Sequence, residues 1–246
     1  MDQIKTNLQF KVPGAVAHGT TERHLDAIMR GGLRPRKNRP SLWTDHPSVA
    51  QNVYLTSAYA LYFARFAAQN DEAGLLIEVD PKRLKTVNMF PDEDAVAQVI
   101  RGDVTDPRFK DVSLGDATED VRSNLRRYRA EGYSASWSMV ALGTCSHEGL
   151  IPVQAIKRIV RVATVTGKDI IAVSDPTITV MNYRFMGSYY RDMQSWFLSG
   201  GEGPMPLRDG LTAMSAEHAR QWREGMAEVE ERLRASLTVV YRRARE

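Results

Sequence analysis

Short apolar runs of strand length recur along the first two thirds of this chain, and turn-forming residues close several of them. They cover residues 12–17, 53–56, 74–79, 138–143 and 155–163. One of them begins at Gly74 and stops before Asp80 and Pro81. Runs of this length with such boundaries predict β-strands. With 246 residues, 43% of them hydrophobic, the chain can bury one large domain or one domain with an extension.

Helices are predicted between these strands. The first follows His18, and a threonine, either Thr20 or Thr21, can cap it. Its apolar face consists of Leu25, Ile28 and Met29. Gly31 and Gly32 end it, because glycine accepts the left-handed conformation that follows a helix. Ser57 can cap a second, buried helix that runs to about residue 69.

The middle of the chain is more polar. Helices are predicted there over residues 94–101 and 118–130, with Gly132 as a stop. Residues 144–148, between two predicted strands, have the composition of a short polar turn.

The periodicity changes beyond residue 167. We expect a catalytic domain over residues 1–167 and a mainly helical extension over residues 168–246. Within this extension the pattern predicts a strand or two in 170–181, helices over 183–198 and 215–237, and a Gly/Pro-rich loop in 199–210.

The composition indicates the cellular compartment of the protein. Cys145 is the single cysteine, so no disulfide can form within the chain, and the first residues lack the pattern of a secretory signal. No apolar stretch is long enough to span a bilayer. These observations predict a soluble cytoplasmic protein that does not contact a membrane, and they leave its oligomeric state open.

Two basic segments interrupt an otherwise mixed charge pattern, in a chain with a net charge of +3 and a pI near 9.0. They cover residues 34–39 and 241–245. Each is read either as a solvated loop or frayed terminus, or as a contact with nucleic acid.

A family resemblance appears when the motifs are taken in order. His18, Gly19 and Thr20 are followed by a helix that ends in Gly-Gly-Leu, then by the segment Tyr54-Leu55-Thr56-Ser57 with its apolar helix, and finally by Glu148 before a late strand. This order resembles the ADP-ribosyltransferase superfamily, in its poly-ADP-ribose-polymerase-like His-Tyr-Glu branch and the diphtheria-toxin-like group. The resemblance implies an α+β fold with a split, mostly antiparallel sheet and flanking helices.

The same resemblance implies that the nicotinamide glycosidic bond of NAD is broken and that ADP-ribose is transferred to a macromolecular acceptor, nucleic acid or protein. NAD is then a co-substrate, and no metal is needed. Bacterial or phage effectors that modify a host target are an analogy for such a chain.

Each motif receives a role from the resemblance. His18 bonds a ribose hydroxyl of the adenosine half, and the backbone of Gly19 holds the nicotinamide amide. Tyr54 stacks on the nicotinamide ring. A second aromatic residue on the next helix is Tyr59 or Tyr62. The other expected cofactor contacts are Thr20, Arg34, Thr56 and Ser57. The basic stretch from Arg34 to Arg39 suits either the NAD pyrophosphate or the backbone of the acceptor.

Glu148 is the catalytic carboxylate in this scheme. It bonds the 2′-hydroxyl of the nicotinamide ribose and stabilises the oxocarbenium-like charge that develops as nicotinamide leaves. Glu78 is the rival carboxylate. Ser146 occupies the position at which arginine-modifying relatives carry Glu or Gln, so a protein-arginine acceptor is less favoured than a nucleic-acid base, a phosphate or another side chain.

Other readings stay open at this stage. The fold could be a non-catalytic module that binds NAD, ADP-ribose or nucleic acid, or an RNA 2′-phosphotransferase. Cys145 and His147 lack further ligands nearby in the sequence, so no metal site is expected. Neither a P-loop nor a Gly-x-Gly-x-x-Gly fingerprint is present, which means that NAD would bind outside a Rossmann crevice.

Overall fold

The computed structural model describes residues 15–36, 48–68, 72–102, 111–163, 183–206 and 216–244. Within these ranges, one seven-stranded sheet runs in the order β4-β5-β2-β1-β3-β6-β7, and all neighbouring strands are antiparallel. The strands are β1 (Val16–Thr21), β2 (Asn52–Thr56), β3 (Gly74–Val79), β4 (Met89–Pro91), β5 (Thr144–Glu148), β6 (Ile156–Val162) and β7 (Leu237–Arg242). Together with its flanking helices, this antiparallel sheet confirms the predicted α+β class.

Eight α-helices accompany the sheet in the described ranges. They are α1 (Leu25–Gly31), α2 (Ala60–Ala67), α3 (Glu93–Gly102), α4 (Leu114–Ser123), α5 (Leu125–Ala130), α6 (Ala135–Ala141), α7 (Tyr183–Ser199) and α8 (Ala216–Ser236). The predicted helices over 94–101, 183–198 and 215–237 are confirmed as α3, α7 and α8. No helix of these ranges is both long and apolar enough to cross a membrane.

The core has two main layers because successive side chains of a strand point to opposite faces. Ala17 of β1 joins a cluster with residues of α2 and α7, whereas its neighbour Val16 joins a cluster with Ile28 of α1. A third cluster, built around Phe90 and Tyr128, lies between β4 and helices α3 to α5. Every helix thus has a buried face against the sheet or against another helix.

The sheet consists of two parts joined at one residue pair. Strand β1 pairs with β3 over six residues and β2 pairs with β5 over five, but β1 and β2 pair only at Ala17 and Thr56. Beyond Ala17, the edge of β1 that faces β2 has no paired residue in the described part of the chain. His18 and Gly19 lie on this edge.

Strand β1 begins later than predicted. It covers Val16–Thr21, so His18 lies inside the strand and not at its carboxyl end. Thr20 and Thr21 extend the pairing with β3 and do not cap a helix by their side chains. Residues 12–14 of the predicted strand lie outside the described residues.

The predicted cap of the second helix is also wrong. Helix α2 begins at Ala60, and the Oγ1 atom of Thr56, not Ser57, accepts hydrogen bonds from the amides of Ala58 and Tyr59 at 3.0 and 2.8 Å. Residue 69, the predicted end of this helix, lies outside the described residues.

The predicted strand over residues 138–143 is wrong. These residues belong to α6 and the turn after it. Ser134 caps α6 by accepting a hydrogen bond from the amide of Trp137 at 3.0 Å. The buried residues of α6 are Ala135, Ser138 and Met139, which have helical spacing. Residues 144–148, predicted as a polar turn, form strand β5, whose backbone pairs with β2 and β4 and whose first four residues are buried.

The other predicted elements have different outcomes. The helix predicted over 118–130 is divided at Asn124 into α4 and α5, and Gly132 ends α5 with a φ of +109°. The closing strand predicted over 155–163 is confirmed as β6. Residues 241–244 of the second basic segment belong to β7 or directly follow it, and β7 pairs with β6, so this part of the segment is not a frayed terminus. The alternative of a nucleic-acid contact stays a prediction. The strands predicted in 170–181 lie outside the described residues.

We predict that Gly19→Ala destabilises the protein. A Cβ atom at this position would lie 2.1 Å from the carbonyl oxygen of Ala60 and 2.6 Å from the amide nitrogen of Ala64, both backbone atoms of α2. Overpacking of this kind costs about 1–3 kcal/mol or more. Chemical unfolding followed by circular dichroism measures the loss.

Gly225→Ala is the matched control for this substitution. Gly225 lies in α8 and a Cβ atom there meets nothing within 4 Å. We expect this variant to gain about 0.5–1 kcal/mol from helix propensity. A Gly19→Ala protein as stable as the wild type would contradict the close approach of α2 to β1.

Candidate functional site

His18 connects the two parts of the sheet through its side chain. Its Nδ1 atom lies 2.9 Å from the carbonyl oxygen of Tyr54 on β2. A carbonyl oxygen can only accept, so Nδ1 carries the proton, and Nε2 of the neutral ring is an acceptor. Burial is the main influence on His18 and lowers its pKa from the ordinary value of 6.5. The ring is therefore neutral near pH 7.

Tyr54 is held at its hydroxyl by two partners. The hydroxyl donates to Oε1 of Glu93 at 2.6 Å and accepts from the amide of Val49 at 2.8 Å. Burial, followed by the nearby charges of Glu93 and Asp92, raises the pKa of this phenol well above 10.0. The phenol stays protonated, and Glu93 and Val49, which are not part of β2, hold its ring in position.

Glu148 is the last residue of β5 and lies on the same sheet face as Tyr54. Tyr54 is paired with Ser146 and Asn52 with Glu148, and residues two apart on a strand share a face. Diagonal neighbours of this kind lie about 7–8 Å apart. The register therefore brings Glu148 close to the Tyr54 side chain. Among the described residues, His18 hydrogen-bonds only the backbone carbonyl of Tyr54, and its position two residues after Val16 puts it on the other face of the sheet.

Arg126 of α5 binds the Glu148 carboxylate. Its Nη2 atom lies 2.8 Å from both carboxylate oxygens. Arg126 is largely open to solvent at 66% exposure, and Glu148 is partly exposed at 39%. The guanidinium of Arg126 also lies over the ring of Phe90, 5.3 Å from its centroid.

Gly19 has a structural reason to lack a side chain. Its missing Cβ would point at the α2 backbone and not into the space between β1 and β2. Thr20, two residues after His18, is buried in β1. Helix α2 thus fills the space that glycine leaves. The resemblance implies a different reason for glycine at this position, namely access of the nicotinamide amide to its backbone.

The hydroxyl groups of Thr56 and Ser57 bond within the protein. Thr56 accepts from the backbone at the start of α2, and Ser57 is buried with its Oγ 3.4 Å from the carbonyl oxygen of Gly143. Tyr59 and Tyr62 are both half-buried. Tyr59 packs against the α2 and α7 cluster, and Tyr62 makes an edge contact with Phe63.

Arg34 is exposed and lies near the segment that follows Glu148. The preceding residue, Leu33, exchanges two backbone hydrogen bonds of 2.9 Å with Ile151. The guanidinium of Arg34 makes no hydrogen bond or ion pair with another described residue. Residues 37–39 of the same basic segment lie outside the described ranges.

Glu78, the rival carboxylate, is a buried ion-pair partner on the other side of β1 from Tyr54. Its oxygens lie 2.8 Å from Nζ of Lys157 and 2.9 Å from Nε of Arg158. These bonds occupy both oxygens. The structure does not bring Glu78 together with His18, Tyr54 and Glu148.

Four side chains that the sequence analysis did not single out contact this site or its supports. They are Asn52, Glu93, Arg126 and Gln194. Glu93 belongs to a run of acidic residues at the start of α3. Acidic residues are favoured at helix N-termini, so this run is a feature by which the sequence could have indicated Glu93. The other contacts depend on tertiary pairing, for which the sequence carries no local pattern.

Cys145 and His147 take no part in the face that carries Tyr54. They lie on the opposite face of β5, and burial raises the pKa of the Cys145 thiol well above 9.0. His147 places Nδ1 3.4 Å from the carbonyl oxygen of Gly149. In the described part of the chain, no group of three or more His, Cys, Asp or Glu residues is arranged to hold a metal ion.

Comparison with known proteins does not assign the chain to a family. No protein-family model and no curated protein sequence matches it. Among solved structures, EcPltA is similar with a TM-score of 0.35 and 12% sequence identity, over 63% of this chain and 79% of EcPltA.

We predict that His18 makes the protein less stable in mild acid. Its pKa is lowered in the folded state, so the unfolded chain binds the proton first as pH falls. The stabilisation is complete above about pH 6.5 and is lost below it, by at most about 1.4 kcal/mol per pH unit for one proton. Unfolding free energies of wild type and His18→Gln, measured between about pH 7.5 and 5.5, test this.

The variant should show a smaller loss of stability over that range. His147, whose pKa is also lowered by burial, is present in both proteins and contributes equally. Identical pH slopes would show that His18 is not buried in its neutral form.

Proposed function

We propose that this protein is an NAD-dependent ADP-ribosyltransferase that transfers ADP-ribose to a macromolecular acceptor. The observation that carries the proposal is the register of β2 and β5, which puts Glu148 on the face of Tyr54 while His18 bonds the Tyr54 backbone. A histidine, a tyrosine and a glutamate from distant parts of the chain thereby lie on the strands that border the division in the sheet. This arrangement suits a dinucleotide laid across that division.

The reaction breaks the bond between nicotinamide and C1′ of its ribose. Nicotinamide leaves with the bonding electron pair as a neutral molecule, and positive charge develops on the ribose ring. The ionised Glu148 carboxylate accepts a hydrogen bond from the 2′-hydroxyl and stabilises that charge. A nucleophile of the acceptor then forms the new bond to C1′ and releases one proton, so charge and atoms balance.

The other side chains bind and orient NAD. The neutral His18 ring offers Nε2 as an acceptor for a ribose hydroxyl of the adenosine half. Tyr54 gives the nicotinamide a flat surface, with Tyr62 or Tyr59 as the second aromatic residue. The unpaired edge of β1 at Gly19 offers backbone groups to the carboxamide, and the exposed Arg34 suits the pyrophosphate.

Glu148 must leave Arg126 before it can bind the ribose. An ion pair between exposed side chains contributes only about 0–1 kcal/mol, because water screens it and both side chains lose freedom. The exposure of both partners therefore makes this exchange inexpensive. NAD can replace Arg126 at the carboxylate without a change in the fold.

The acceptor is proposed to be nucleic acid or protein. Arginine is less favoured, because Ser146 stands two residues before Glu148 and its hydroxyl is buried, 2.9 Å from Nδ2 of Asn52. A buried hydroxyl cannot orient a guanidinium. The basic charge balance favours a phosphate-bearing partner.

Residues 168–246 are proposed to support the catalytic part over 1–167 in a cytoplasmic protein. Gln194 of α7 is buried, and its Nε2 donates to the carbonyl oxygens of Ala15 and Thr56 at 2.8 and 3.1 Å. Its Oε1 accepts from the amide of Ala60 at 3.1 Å. This side chain ties together the β1, β2 and α2 segments that border the division in the sheet.

We predict that Glu148→Gln abolishes ADP-ribose transfer and nicotinamide release from NAD. Glutamine keeps the shape of the side chain but not the charge that opposes the ribose cation, and such a loss costs about 3–4 kcal/mol in the transition state. Binding of NAD should remain close to wild type. Nicotinamide release is measured by chromatography, and binding by calorimetry.

Glu228→Gln is the control, since Glu228 is an exposed carboxylate on α8 that pairs with Arg232. This variant should keep full activity. A Glu148→Gln protein that retains more than about a tenth of the wild-type rate would remove Glu148 from the catalytic role. Tight binding of NAD by the wild type without turnover would support a binding module instead.

We also predict the class of acceptor. Incubation of the protein with labelled NAD and fractionated lysate should label nucleic acid or protein, and the label should be absent with Glu148→Gln. Nuclease and protease sensitivity identify which polymer carries it. Label found on arginine side chains would contradict the argument from Ser146, and label found only in free ADP-ribose would indicate a hydrolase.

A further inference from the structure

Glu93 makes a contact that its own helix does not require. It is the first residue of α3 and is 3% exposed. Its Oε1 atom accepts a hydrogen bond of 2.6 Å from the Tyr54 hydroxyl, across a distance of 39 residues in the sequence.

The neighbouring Asp92 already starts the helix. Its Oδ1 atom accepts from the amide of Asp94 at 2.9 Å, as a helix cap does, and its own amide donates to Oγ of Ser138 at 2.9 Å. The corner between β4 and α3 is therefore held without the Glu93 side chain. A role in forming α3 does not explain a glutamate here.

The Glu93 carboxyl group is also costly to bury. Its second oxygen, Oε2, has no hydrogen-bond partner among the described residues, and burial raises the pKa of the group. A buried acceptor without a partner destabilises a fold, and an apolar side chain of similar length would avoid the cost. The position keeps a group that is costly to bury, and Tyr54 is the side chain that hydrogen-bonds it among the described residues, while the nearby charge of Arg122 acts in the opposite direction and lowers its pKa.

We infer that Glu93 is a positioning residue that fixes the Tyr54 ring as a wall for the nicotinamide. This inference rests on the proposed function. The phenol oxygen is held between Glu93 and the amide of Val49, so the ring cannot swing about its Cα–Cβ bond without losing both hydrogen bonds. A ring held in place before the ligand arrives loses less freedom on binding.

Three variants test the inference. Glu93→Met removes the acceptor but keeps the length of the side chain, Glu93→Gln keeps an acceptor for the hydroxyl, and Tyr54→Phe keeps the ring without the hydroxyl. We expect Glu93→Met and Tyr54→Phe each to raise KM for NAD about 3- to 10-fold, the effect of one buried hydrogen bond. Glu93→Gln should stay within about 2-fold of wild type.

The two kinetic parameters separate positioning from stability. A wall that contacts nicotinamide equally in the bound and transition states changes KM and leaves kcat within about 2-fold. A merely structural role would reduce the amount of folded enzyme and lower the apparent kcat at unchanged KM. The double variant Glu93→Met with Tyr54→Phe should cost no more than either single variant, because both remove the same bond.

The outcomes also distinguish this inference from the proposed function. An active wild type with an unchanged KM in Glu93→Met, or equal losses in Glu93→Met and Glu93→Gln, would overturn the role of Glu93 alone. A wild type that binds NAD without releasing nicotinamide would overturn the proposed activity, and Kd from calorimetry then replaces KM for the same variants. A wild type that neither binds nor cleaves NAD overturns both.

Discussion

The pairing of Ala17 with Thr56 is the one backbone link between the two parts of the sheet in the described chain. Because so little pairing joins β1 and β2, side chains must hold the division at a fixed width. His18 does this from one side through the Tyr54 carbonyl, and Gln194 does it from the other through Ala15 and Thr56. The missing side chain of Gly19 lets α2 lie against β1 at the same place. The division between β1 and β2 thus depends on a few polar contacts in an otherwise apolar core.

Most side chains beside the division between β1 and β2 are either neutral or hydrogen-bonded within the protein. Burial disfavours the charged forms of His18 and Tyr54, and the hydroxyls of Thr56, Ser57 and Ser146 bond within the protein. Glu148 differs, since it is solvent-accessible and held by an arginine that is itself exposed. An accessible carboxylate can stabilise positive charge that develops in a bound ligand once its arginine partner is displaced.

Secondary-structure elements whose buried residues recur with a simple period could be predicted from the sequence. Predictions were wrong where polar side chains are buried. Strands β3 and β6 and helices α3, α7 and α8 have the expected patterns. The pattern of residues 138–148 predicts a strand followed by a turn, whereas these residues form the end of helix α6 followed by strand β5. The prediction fails because α6 is apolar and short, and because β5 is polar although mostly buried. Strand β7 was not predicted, because its alternating burial and its arginine resemble the pattern of an exposed chain terminus. Strand register puts Glu148 on the face of Tyr54, and Glu93 and Arg126 contact these two residues through pairings that no local pattern encodes.

Strand β7 has a consequence for how the chain reaches its native state. It pairs with β6, yet α7 and α8 lie between the two strands in the sequence. During synthesis β6 emerges long before its partner, and it presents an open row of amides and carbonyls until β7 arrives. Such a late, long-range closure slows folding and leaves an intermediate that can stick to other nascent chains. Recombinant production should therefore benefit from abundant chaperones, and any tag that hinders the docking of β7 would favour inclusion bodies.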